Sequence, residues 1–116
     1  MSPFDYAIEK CKEVPHKRGY SRHFCVILDK RGRVISEASN SYTKTSPVMK
    51  KAAEKLGLTS KIYCHAEQLA IVRAKGRGHK LIVVRVNKDG DSVNSEPCPI
   101  CKLLISETKI KEIEWS

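Results

Sequence analysis

A chain of 116 residues, 41% hydrophobic and 30% charged, has the ordinary composition of one globular domain with room for a single core. No apolar run approaches the roughly 20 residues that a membrane-spanning helix needs. The start, MSPFDYAIEK, lacks the basic-then-apolar layout of a signal peptide, so a cytoplasmic protein with no membrane partner is expected. The formal charge of +9, from 22 Lys and Arg against 13 Asp and Glu, favours anionic ligands, whether nucleic acid or small phosphorylated molecules.

Ser2 followed by Pro3 pairs an N-cap with a first helical residue, and Phe4, Ala7, Ile8 and Cys11 recur at helical spacing, which predicts an amphipathic helix over 3–13. HKRGYSR breaks that pattern. HFCVILD (His23 to Asp29) and VISEAS (Val34 to Ser39) read as strands of a hairpin with Gly32 in its turn. Ser46 before Pro47 caps a helix through VMKKAAEKL that stops at Gly57. A third helix runs from His65 to Ala74. KLIVVRV, from Lys80 to Val86, is almost continuously apolar, as a strand covered on both faces requires. After NKDGDSVNSE, read as a loop, PCPICKLLISE reads as a helix and KIKEIEWS as a last strand. Each strand after the hairpin is reached through a helix, so the final strands are expected to lie parallel in one mixed sheet. With no repeat, low-complexity stretch or linker, residues 1–116 read as one domain.

Five cysteines are an odd number, and in a reducing compartment the close CPIC pair points to metal or redox chemistry before a structural disulfide. Cys98 and Cys101 share one face of a helix start, where open amides favour thiolate over thiol. Two thiolates make half a zinc site, and no second CxxC or HxxxH completes a closed structural one. His65 opens another helix, and Glu67 follows two residues later. Within a regular helix such a pair points to nearly opposite sides, so it makes sense only in the irregular first turn. Three protein ligands leave the fourth zinc position to water, the catalytic arrangement; zinc lowers that water's pKa toward about 7, and Glu67 is placed to take its proton.

HAE at His65 to Glu67 and PCPIC at Pro97 to Cys101 resemble the zinc signature of the cytidine and deoxycytidylate deaminase superfamily. The resemblance covers the chain from Asn40 onward. It implies a three-layer α/β/α fold around a mixed sheet, here with four strands and no fifth, because the sequence stops at Ser116, short of the helix and strand with which many relatives continue. It also implies that His65, Cys98 and Cys101 hold Zn2+ and that Glu67 shuttles protons. The Ala66 amide would contact the base, the Ser95 carbonyl would receive the departing amine, and Asn40 would meet the sugar. An insertion, SYTKTSPVMKKAAEKLGL, stretches the Asn40-to-His65 separation to 25 positions, beyond the family's usual spacing.

The activity implied is hydrolytic deamination of a cytosine nucleoside or nucleotide (cytidine, deoxycytidine or dCMP) to the uracil form with release of ammonia. Action on cytosine or adenine within single-stranded DNA or RNA is the alternative. Lys44, Lys50 and Lys51 are candidates to hold a 5′-phosphate. Cys11 and Cys25, at apolar positions, read as small core residues. Cys64, one step before a helix-starting ligand, reads as core-facing, as do Tyr63 and Trp115, while His16, His23 and His79 lack any partner pattern. The last strand, Lys109 to Ser116, would be an unpaired edge, so a homo-oligomer is expected.

Overall fold

A computed structural model describes residues 1–18, 21–41, 47–57 and 65–116, with Val48 described by its backbone alone. The elements are α1 (Pro3–Glu13), β1 (Arg22–Leu28), β2 (Val34–Ser39), α2 (Pro47–Lys55), α3 (Ala66–Ala74), β3 (Lys80–Val86), β4 (Ser92–Val93), α4 (Pro99–Ser106) and β5 (Glu112–Trp115). All four strands read from the sequence are there, in the expected order. Ser2 caps α1 as expected, its hydroxyl accepting from the Asp5 amide at 3.1 Å. Ser46, the expected cap of α2, lies outside the described residues.

The strand count is five rather than four. The additional strand is internal: after β3 the chain turns at Gly90, whose φ of 84° suits glycine, and returns for two residues opposite Arg85 and Val86. A two-residue strand carries no alternation that a sequence pattern could reveal. β3 is the centre of the sheet, antiparallel to β1 on one side; on the other, β5 runs parallel to its first half and β4 antiparallel to its end. The final strands are thus parallel, as the helical connection between them requires. β4 and β5 meet end to end at a small knot of hydroxyls. The Ser95 hydroxyl donates to the Val83 carbonyl at 2.8 Å, and the Ser116 hydroxyl donates to the Val93 carbonyl at 2.6 Å while accepting from the Arg85 amide at 3.1 Å.

Because strand side chains alternate, β1 and β3 divide their apolar residues between two cores. Phe24, Val26, Leu28, Ile82, Val84 and Val86 face α1, meeting Ala7 and Cys11. Cys25, Ile27, Leu81 and Val83 face the other way, onto Ala66, Ala70 and Ala74, an alanine stripe that lets α3 lie close on the sheet. A third cluster joins Met49, Ala52 and Ala53 of α2 to Ile100 and Cys101 of α4. The result is the expected α/β/α sandwich, and Cys11 and Cys25 are core residues whose thiols burial pushes up. Trp115 departs from its expected core position: it is 42% exposed. Among the described residues, no helix is long and apolar enough to cross a membrane.

Candidate metal and catalytic site

Two helices begin at the same place. His65 is the N-cap of α3 and Cys98 the N-cap of α4, both with extended backbone. An N-cap normally carries Ser, Thr, Asp or Asn, whose oxygen accepts from the first-turn amides. Neither His65 nor Cys98 makes such a bond. Their side chains turn toward each other instead, with His65 Nδ1 at 3.6 Å from the Cys98 sulfur and 3.3 Å from the Cys101 sulfur. Pro99 at the start of α4 fixes its first turn, which carries Cys101 to the same point, fully buried.

The donor atoms of His65, Cys98 and Cys101 lie within 4.8 Å of one another. A tetrahedral ion with Zn–N about 2.05 Å and Zn–S about 2.3 Å separates N from S by about 3.6 Å, close to both spacings in this cluster. One imidazole and two thiols are also the soft, borderline donors that zinc prefers. Left to themselves the two sulfurs share one proton: the hydrogen bond from Cys101 holds Cys98 down to about 3, and the same bond, with burial, pushes Cys101 up. A divalent cation settles that competition by taking both as thiolates. Two helix N-termini converging on the cluster favour the same anionic state.

Glu67, in the first turn of α3, is only 4% exposed, and its carboxyl lies against Cys101. Burial raises its pKa, partly opposed by its own backbone amide and by His65. Ala66 is fully buried beside it, and its N–H belongs to the first-turn amides that a helix cannot satisfy internally. Ser95, 5% exposed, is fixed three residues ahead of Cys98 by the hydroxyl knot and by the hydrogen bond its amide donates to the Ser116 carbonyl at 2.9 Å. Asn40 is committed to the start of β1: its Oδ1 accepts from the His23 amide at 2.9 Å and its Nδ2 donates to the Ser21 carbonyl at 3.0 Å. That places Asn40 beside His23, with no described contact to the three-donor cluster. Cys64, Tyr63 and Lys44 lie outside the described residues.

His23 and Arg85 join this end of the sheet although no sequence motif marks them. They are register partners on β1 and β3, on the face that carries Cys25 and Val83 toward α3. Burial, then the charges of Arg85 and His65, hold His23 down to about 4. Arg85 is half-buried, with no carboxylate partner among the described residues. The signal was in the alternation: once Cys25 is assigned a face, His23 follows two residues earlier.

The family model of the cytidine and deoxycytidylate deaminase zinc-binding region matches residues 4–116. The chain belongs to this family. The match begins well ahead of Asn40, so it takes in α1 and the hairpin as well as the zinc motifs. Solved cytidine deaminases share the deaminase fold: that of Mycobacterium tuberculosis is 18% identical, with a TM-score of 0.53 over 95% of this chain and 77% of that one. That of Mycobacterium leprae is 20% identical, with a TM-score of 0.53 over 95% of this chain and 82% of that one. No curated protein matches in sequence. The family's zinc and the donor set of this deaminase domain agree, and the cofactor is Zn2+.

Proposed function

We propose that the protein hydrolytically deaminates a free cytosine nucleoside or nucleotide, replacing the amino group with oxygen and releasing ammonia. The observation that carries this reading is the buried Glu67 carboxyl set against the three-donor cluster. In it, His65, Cys98 and Cys101 are the zinc ligands. Zinc, when bound, supplies the Lewis acid that activates water near neutral pH. The Glu67 carboxylate takes one proton from the attacking water and gives it to the adjacent ring nitrogen, then takes the second proton from the hydroxyl now bonded to carbon and gives it to the amine, which leaves as ammonia while the new carbonyl forms. In this reading the Ala66 amide holds the base, the Ser95 carbonyl accepts from the departing amine, and Asn40 would meet the sugar.

A recessed site, with Cys101 at 0% and Glu67 at 4% exposure, suits a single base presented on a small molecule. Lys50 and Lys51 are exposed on α2, which packs on α4, and support a 5′-phosphate reading. The +9 charge favours the second reading, a base within single-stranded DNA or RNA. A product assay with zinc-loaded protein across cytidine, deoxycytidine, their monophosphates and a single-stranded oligonucleotide separates the two. Conversion of a free nucleoside or nucleotide is expected. Efficient conversion in the oligonucleotide, with free substrates untouched, overturns the first reading in favour of the second.

A further inference from the structure

At the end of the sheet away from His65, the β1–β2 hairpin, the α3–β3 link and the α4–β5 link line a half-open cleft of about 530 Å³. Deamination makes no use of it. Lys30 and Arg33 line it from the hairpin, Arg77 from the α3–β3 link, and Lys109 and Lys111 from the α4–β5 link. These segments are stitched together through the backbone: the His79 amide donates to the Leu28 carbonyl at 2.8 Å, and the Lys111 amide donates to the His79 carbonyl at 2.8 Å. Gly78 permits the stitching, because at its φ of +131° a Cβ would stand 2.4 Å from Ile27 Cγ2. The cations therefore project from a fixed floor.

Asp29 is the lining carboxylate, and its charge is taken up locally. It accepts from Arg33 Nε and from the Arg31 and Arg33 amides, each at 2.9 Å. Glu112, nearby on β5, pairs with His79 at 3.3 Å. Lys30, Arg77, Lys109 and Lys111 have no carboxylate partner among the described residues. Like charges gathered in one concavity raise each other's energy and focus a positive potential into it, which a bound anion relieves.

The identity of that anion follows from the lining. No Phe, Tyr or Trp is present to stack an unpaired base, so single-stranded nucleic acid is disfavoured. The cavity has the size of a compact ligand rather than an extended track. Four unpaired cations from three segments exceed what one phosphate neutralises. We propose that this cleft binds an oligophosphate, a chain of three or more linked phosphates, free or as the tail of a nucleoside triphosphate. β3, seven residues long, separates the cleft from the zinc end by roughly 20 Å, so the two sites can be filled together.

Calorimetric titration of the zinc-loaded full chain with inorganic triphosphate at low salt tests this, zinc content being checked after each titration. One triphosphate per chain is expected, with affinity falling as salt rises. The Lys109→Gln/Lys111→Gln protein and, separately, Arg77→Gln should each bind at least about tenfold more weakly, with circular dichroism, zinc content and turnover of free substrate unchanged. A nucleoside triphosphate that binds as well as inorganic triphosphate, or better, supports the proposal and identifies the source; a nucleoside without phosphate should not bind there. Absence of triphosphate binding, equal binding by all the variants, or binding of a single-stranded oligonucleotide alone would overturn it. Binding is read independently of deamination, so failure of the cleft and failure of the proposed reaction are distinguishable.

Discussion

Among the described residues Glu67 is the only carboxylate that is buried, and burying a carboxyl is costly, which marks the group as a candidate for function. Glu67→Ala should keep zinc and fold, because the carboxylate is not a ligand, while turnover falls by about 10²–10⁴-fold or more. Metal analysis and a rate assay check this together; loss of zinc would point to a different coordination set. Cys98→Ala should lose most of its zinc, since two remaining donors make a poor site, and full retention would refute the assignment. His23 gives a pH test. Its folded pKa, near 4, lies below the ordinary histidine value of 6.5, so between those values the unfolded chain binds a proton that the fold refuses. Stability from this group is present above pH 6.5 and is lost as pH falls toward 4. Denaturant unfolding at pH 7 and 5 should show a shallower loss for His23→Gln than for the wild type.

At the scale of elements, the link between α3 and β3 is a tight joint, and Gly78 is the one crowded glycine among the described residues. Gly78→Ala sets a Cβ against Ile27 at 2.4 Å and strains a left-handed backbone. It should cost about 2–4 kcal/mol, lowering the melting temperature by roughly 10 °C or more. Gly32 has a φ of +81° but open space around it, so Gly32→Asn should change melting little. The helix starts explain why the site was readable. Pro99 and the apolar spacing announce α4, and the pairing of CPIC with HAE announces what its first turn holds. The Ser95–Ser116 knot was not readable, because serines carry no periodic signal and their partners come from separate strands.

For the molecule as a whole, charge and edges set the expectations. β5 leaves Ile113 40% and Trp115 42% exposed along the sheet's outer strand, a surface suited to a second copy. Light scattering at micromolar concentration should report a homo-oligomer, and Trp115→Glu should shift it toward monomer; a monomeric wild type would sink the idea.

Much of the architecture lay in local pattern. α1 follows from a spacing of 3.6, and the hairpin, β3 and the terminal strand from short strand-like runs, signals that each segment carries within itself. The residue types at two helix starts likewise specified a zinc chemistry. What only the tertiary structure decided is which distant segments meet: His65 with Cys98 and Cys101, His23 with Arg85, β4 against the end of β3, and five cations around one cleft. Those meetings depend on strand order and register, and these are fixed by burying both faces of the sheet at once rather than by any stretch of residues alone.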